Sequence, residues 1–340
     1  MSRRWLRAVA ALVVATSVIG PRLARGQDDD YFKGKTITVY VGQPPGGGYD
    51  LYGRLLARHL GRHLPGNPTV IVSNMPGAQG IQSLNFMYHL APRDGTALAL
   101  AAQYACQDQV VGTLGVQYDA AKFNWIGRLA ANVDTLYVWN TVPIKTAADL
   151  ENRETLLASD GGLTTNYAAL LHLVMGAQLK LVRGYPGTQA VNLALERGEA
   201  EAAVSSLNTI RTIWDEWLRA GKIRVLVQNR PSRHPDLADV PTIDELPGAA
   251  EHKDVIAFFV NSALMGRSIL APPQVPAGRV DMLREAFDAT MKDDLFLAET
   301  KQSNIEIDPM GGAEVQKLSE RLLGVDAAAR SLLTNIFVSN

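Results

Sequence analysis

Short β-branched runs alternate with amphipathic segments along most of this 340-residue chain. The first clear run, Thr36-Ile37-Thr38-Val39-Tyr40-Val41, has no helical spacing and predicts a strand buried on both faces. Pro44 and Pro45 stop it, because neither can donate to a ladder. Gly46, Gly47 and Gly48 then allow a sharp turn and a close approach of bare backbone. Asp50 is a candidate N-cap for a helix with Leu51, Tyr52, Leu55, Leu56 and His59 on one face and Arg54 and Arg58 opposite. A strand feeding a helix through free N–H groups makes an anion site. The same stretch also reads as a tight βα turn with no ligand.

The pattern repeats. Residues 69–72 and 96–102 predict strands around a glycine loop at 73–80 and a helix from Ile81 to Leu90, a βαβαβ order that implies parallel pairing. Residues 123–127 and 135–139 predict further strands, and a new unit follows. Its strand at 155–159 runs into the loop 160–166, where Thr165 or Asn166 is a candidate cap for a helix through Ala169, Leu170, Leu173 and Val174. Strands at 179–183, 202–205 and 223–227 alternate with a loop at 184–189 and a helix bearing Ile210, Ile213, Trp214, Trp217 and Leu218 as a core stripe. Residues 231–247 form a loop-rich crossing, 255–261 predict an apolar strand, and helices follow at 277–291, 295–302 and 313–323. The expected fold class is α/β, with the second unit inserted in the first: 27–130 and 230–340 form one lobe and 131–229 the other. Two such lobes enclose a cleft.

The N-terminal segment stands apart. A basic start, Arg3-Arg4-Trp5-Leu6-Arg7, precedes twelve apolar-run residues at 8–19, and Ala24-Arg25-Gly26 offers a cleavage point. Residues 1–26 therefore read as a signal peptide, by the general or the twin-arginine route, and the expected location is periplasmic. No later run is long and apolar enough to be a transmembrane helix. Thirty-three basic and 34 acidic residues leave a net charge of −1, so nothing points to nucleic acid. Cys106 is the only cysteine, which excludes an internal disulfide and suits a packed side chain.

Chemistry-bearing motifs are few. His59 and His63 are spaced i, i+4 without the glutamate of a metalloprotease helix, and the default for such a helical histidine is half-exposed. No Gly-x-Ser-x-Gly or nucleotide-binding glycine pattern occurs. No catalytic residue, metal or cofactor is expected. The loops 44–50, 73–80, 160–166 and 184–189 all follow strands and are almost free of cations, with Arg183 the nearest. Loops of this kind hold a carboxylate through backbone N–H groups and helix dipoles.

Pro44-Pro45-Gly46-Gly47-Gly48-Tyr49-Asp50 resembles the first ligand loop of the tripartite tricarboxylate transporter substrate-binding proteins, the TctC or Bug family. Asn74-Met75-Pro76-Gly77-Ala78-Gln79-Gly80 is similar to their second loop, and Pro92-Arg93-Asp94-Gly95-Thr96, Asp239-Val240-Pro241-Thr242 and Leu270-Ala271-Pro272 to later signatures in the same order. The resemblance implies a two-lobed periplasmic binding protein of type II, a Venus flytrap with a sheet flanked by helices in each lobe. It would capture a small organic acid and deliver it to membrane permease subunits, as a monomer. Carried over, the ligand contacts are Gly47, Gly48, Tyr49, Asp50, Gly77, Ala78 and Gln79 from one lobe, and Thr164, Thr165, Asn166, Tyr185, Pro186, Gly187 and Thr188 from the other. Tyr49, Gln79 and Pro186 depart from the family pattern of a small residue, glycine and lysine, so dicarboxylates, tricarboxylates, amino acids, aromatic acids and cyclic amides all stay open as ligands. A membrane sensor kinase is the alternative partner, and a secreted enzyme acting on a small carboxylate the alternative activity. Closure is expected about crossings near 130–135 and 227–230.

Overall fold

A computed structural model describes residues 31–337, so the predicted signal peptide lies outside the described residues. The chain begins with β1 (Thr36–Val41), α1 (Gly48–Leu60), β2 (Thr69–Asn74), α2 (Ile81–His89), β3 (Ala97–Ala101), α3 (Ala105–Val111) and β4 (Asn124–Arg128). It continues with β5 (Asp134–Trp139), β6 (Thr155–Ser159), α4 (Gly162–Met175), β7 (Leu179–Arg183), α5 (Thr188–Glu196), β8 (Ala202–Ser206), α6 (Leu207–Ile213), α7 (Asp215–Arg219) and β9 (Ile223–Asn229). It ends with α8 (Lys253–Met265), β10 (Ser268–Ala271), α9 (Ala277–Thr290), α10 (Asp294–Gln302), β11 (Met310–Gly311), α11 (Gly312–Leu323) and α12 (Ala327–Phe337).

These strands make two mixed sheets, in the orders β11-β4-β10-β3-β1-β2 and β7-β6-β8-β5-β9. The βαβαβ order gives parallel pairing as expected: β1 is parallel to both β2 and β3. The two sheets share one plan. In each, the first strand to arrive from the other sheet, β10 or β5, inserts antiparallel beside the third strand of the parallel set. The chain crosses between sheets after β4 and again after β9, so each lobe is a sheet with helices on its faces.

Apolar packing joins the layers. Ile37, Val39 and Val41 alternate inward from β1 against Leu55 and Leu56 of α1 and Phe287 of α9. In the second lobe Tyr137, Val191, Leu195 and Trp217 form the equivalent core. The tryptophan stripe lies there, on two short helices rather than one, because Trp214 breaks the helical backbone. A third cluster runs through α2, α3, α4, α8 and α11 and so bridges the lobes; Tyr167 of α4 meets Phe259 of α8 with ring centres 5.9 Å apart.

Two expectations change, and one helix is new. Residues 255–261 are helical, within α8, and Val255, Ile256, Phe258, Phe259 and Val260 are all buried. An apolar run of this length fits a buried strand or a largely covered helix, and here the second holds, with Ala257 alone of its apolar residues exposed. The start of the late helix hides a strand, β10, only four residues long. The seven-residue α3 was not anticipated.

Candidate functional site

The first loop is held from below. Asp50 does not cap α1: the helix starts at Gly48 with Gly47 as its N-cap residue, and Asp50 lies inside the first turn. Its buried carboxylate folds back to accept from Gly46 N–H at 2.9 Å, Arg54 Nε at 2.8 Å and Asn74 Nδ2 at 2.9 Å. Burial pushes this carboxyl up, but those three donors outweigh it and hold it below its ordinary value. Asp50 is thus a brace that fixes the glycine loop against the end of β2.

The second loop is strained. Ala78 (φ 44°) and Gln79 (φ 59°) both occupy the left-handed region that non-glycine residues avoid. Two contacts secure Gln79. Tyr104 Oη donates to its carbonyl at 3.0 Å, and its own amide donates to Asp160 O in the other lobe. Gly161 makes the latter contact possible, since a Cβ there would collide with the Gln79 amide.

Four loops from the two lobes close around a cavity of about 560 Å³. Ten of the expected contacts line it: Gly47, Gly48, Tyr49, Gly77, Ala78, Gln79, Tyr185, Pro186, Gly187 and Thr188. Thr164, Thr165 and Asn166 do not. Helix α4 starts earlier than expected, at Gly162 with Gly161 before it, so these residues fall within its first turns rather than at its cap. Thr164 and Asn166 are buried, and Thr165 opens onto a separate shallow groove beside His172 and Lys180. Asp160 and Leu163 line the cavity from that loop instead.

Sequence reasoning missed a fifth segment, where Ser205, Ser206 and Thr209 line the cavity at the end of β8 and start of α6. It has no glycine, but it does stand at the carboxyl end of a strand, and that was the available signal. Also missed were Gln43, Tyr104, Asn132 and Asp134. The cation nearest to this chemistry is Arg267, not the exposed Arg183. Arg267 is fully buried behind the cavity; it donates to Asn132 Oδ1, to Ser206 Oγ at 2.9 Å and to Thr209 Oγ1 at 3.0 Å, and lies over the rings of Tyr52 and Tyr49. Tyr49 presents its ring to the cavity while its hydroxyl accepts from Gln103 N–H at 3.1 Å and Asn132 Nδ2 at 3.2 Å. Burial raises its pKa.

Helices α1, α4 and α5 all begin at this cavity behind glycine N-caps, Gly47, Gly161 and Gly187, and none has a side chain on its first N–H groups. Free N–H groups at the positive ends of three helix dipoles favour negative charge.

Residues 53–322 match the family described as the tripartite tricarboxylate transporter family receptor, TctC. The chain belongs to the TctC family. A UPF0065 protein in the gbd 5′ region of Cupriavidus necator is 30% identical over 256 residues, covering 72% of this chain and 75% of that protein. Among solved structures, the periplasmic binding protein BugD superposes with a TM-score of 0.69 at 19% identity, covering 88% of this chain and 97% of that one. MatC from Rhodopseudomonas palustris with bound malate gives 0.67 at 19% identity over 89% and 98%. The two-lobed binding-protein fold read from the sequence is the fold of this TctC-family chain.

The groups weighed for other chemistry have structural partners. His59 is buried, not half-exposed, because Glu299 Oε2 lies 2.5 Å from its Nε2 and Arg62 2.8 Å from its Nδ1. His63 pairs with Asp293 at 2.9 Å. Among the described residues no group of three or more His, Cys, Asp or Glu side chains could hold a metal. Cys106 is buried beside Ser319, and burial pushes its thiol up to about 12.

Proposed function

We propose that this TctC-family chain is an exported receptor that captures a small carboxylate-bearing solute between its lobes and presents it to a membrane permease. One observation carries the reading: three helices with uncapped first turns, drawn from both lobes, converge on one cavity. The ligand contacts in this reading are the ten loop residues that line that cavity, with Asp50 holding the first loop in shape. Family membership supports the receptor role and the permease as partner. Malate-bound and adipate-bound proteins of the same fold support a carboxylate as ligand class.

Thermal melting against a panel of small carboxylates tests the reading. A ligand at about a hundred times its Kd adds roughly 2.7 kcal/mol, which moves Tm by several degrees. The stabilising compound should be recovered unchanged; its turnover would make the chain an enzyme. Gly47→Trp should abolish the shift without loss of fold, because a Cβ at this position meets nothing closer than Pro44 O at 3.7 Å and the ring would occupy the cavity. Binding that survives this substitution removes the first loop from the site.

A further inference from the structure

One edge of the second sheet is open. β7 is an outermost strand there and pairs along its whole length with β6 alone, so the backbone groups on its other side have no strand to bond. Beside that edge lies the groove onto which Thr165 opens, about 330 Å³ in volume and sharing no lining residue with the cavity between the lobes. Its floor is small and apolar: Ala168 and Ala169 from α4, Ala177 after it, and Leu179 and Leu181 of β7. Those two leucines alternate onto one face of the strand, and with Ala169 they stay partly exposed. An apolar groove between a helix and a free strand edge suits an extended peptide. The peptide backbone takes the unpaired ladder groups, and its alternate side chains enter the groove.

Charge selects the occupant. Arg183, at the carboxyl end of β7, is exposed and has no ion pair among the described residues. Lys180 meets Glu154 at 3.0 Å, but with side chains 62% and 61% exposed that pair contributes little and exchanges readily. The edge thus offers two cations against one carboxylate. A second copy paired two-fold along β7 would gather two lysines and two arginines on one ladder, where like charges repel. An acidic segment neutralises them. We propose that β7 and the α4 groove form a docking edge for an extended segment of a partner protein, apolar at alternate positions and carrying Asp or Glu where it passes Arg183. This surface is independent of what the cleft binds. It does reach the cleft, because β7 runs into the loop whose Tyr185, Pro186, Gly187 and Thr188 line the cavity.

The test is selection of phage-displayed random heptapeptides on the purified protein, with the enriched sequences then titrated as synthetic fluorescein-labelled peptides. They should alternate β-branched or aromatic residues with polar ones and carry a carboxylate toward one end. Arg183→Glu, at an exposed position that leaves the fold intact, should weaken them by about fivefold, and replacing the peptide's acid by lysine should restore that loss. Ala169→Trp, which fills the groove, should abolish binding. N-methylation of one alternate set of peptide amides should abolish it too, while the other set tolerates the change, since only every second residue faces the ladder. No enrichment, peptides that bind the Arg183→Glu protein equally well, or peptides indifferent to N-methylation overturn the inference. A dimer in sedimentation that Arg183→Glu alters also overturns it, because the edge would then belong to a second copy.

Discussion

Two of the places where the lobes meet differ in chemistry. On the hinge side, buried polar groups lock together: Gln103 to Asp134, Asn132 to Gln103, and Arg267 to Asn132, Ser206 and Thr209. The bridging apolar cluster of α4 and α8 backs them. On the loop side, two amides reach backbone carbonyls across the cleft, Gln79 to Asp160 and the exposed Gln189 to Gly46 at 3.3 Å. A buried charge stripped of its partners costs several kcal/mol, whereas one exchangeable hydrogen bond contributes about 1 kcal/mol net. The hinge side is therefore a permanent joint and the loop side a separable one. Cutting the joint should show it most clearly. Arg267→Met strands Asn132 and leaves the Asp134 carboxylate without its nearby cation, so it should lower stability by about 3–5 kcal/mol in denaturant unfolding. A loss no larger than that of an exposed arginine would refute the joint.

The same joint carries a pH signature. Asp134 titrates from about 6 in the fold because burial outweighs the pull of Gln103, Arg267 and Asn229. An acid raised above its unfolded value holds its proton more tightly when folded. Its stabilising contribution is full below about 4, declines as pH rises to about 6, and is absent above. Asp134→Asn removes that decline, so the variant should match the wild type at acid pH and exceed it above pH 7, by up to about 3 kcal/mol for a rise of about two units. Asp108, pushed up to about 7 by burial, adds its own slope to both proteins and cancels in the difference. The remaining titratable neighbours, Tyr49 and Tyr167, are raised by burial and stay neutral throughout. A wild-type advantage that grows with pH would mean that attraction to Arg267 wins.

Two adjacent glycines separate the joint from the cavity. A Cβ on Gly48 would stand 2.3 Å from Thr209 Oγ1 and 3.3 Å from Arg267 Nη2, whereas one on Gly47 has room. Gly48→Ala should cost about 1–3 kcal/mol through forced repacking. Gly47→Ala should stay within about half a kcal/mol, its φ of −83° being ordinary for alanine. Thermal melting of the pair reads this directly, and equal shifts would erase the distinction.

That contrast also explains what the sequence disclosed. Loops declare themselves through local chemistry: Pro44-Pro45-Gly46-Gly47-Gly48 ends a strand and opens a helix whatever surrounds it, and ten loop residues could be named as lining a cleft. Helix caps were less legible, because glycine can stand at an N-cap as Ser or Asp can. Asp50, Thr165 and Asn166 therefore read as caps, where Gly47 and Gly161 in fact stand. The joint was invisible. Gln103, Asn132, Asp134 and Arg267 are far apart in the chain and sit in no periodic pattern; only the crossing of the lobes brings them together. The α8 error has the same origin, since an apolar run becomes helix or strand according to what packs around it.

The separable side offers the smallest change in stability and the sharpest functional one. Gln79→Gly relieves a left-handed φ of 59°, a gain of about 1 kcal/mol, and surrenders a similar amount in unfolded-state entropy. It also loses the amide contact to Asp160, about 1 kcal/mol in the closed form alone. The ligand-free Tm should therefore move little. Ligand affinity should nevertheless fall by about fivefold, because binding draws on the closed population and this contact is one that only closure makes. Solution scattering should find the ligand-free variant more expanded than the wild type. Unchanged affinity and unchanged compactness together would show that Gln79 adopts its strained backbone for some reason other than closing the cleft.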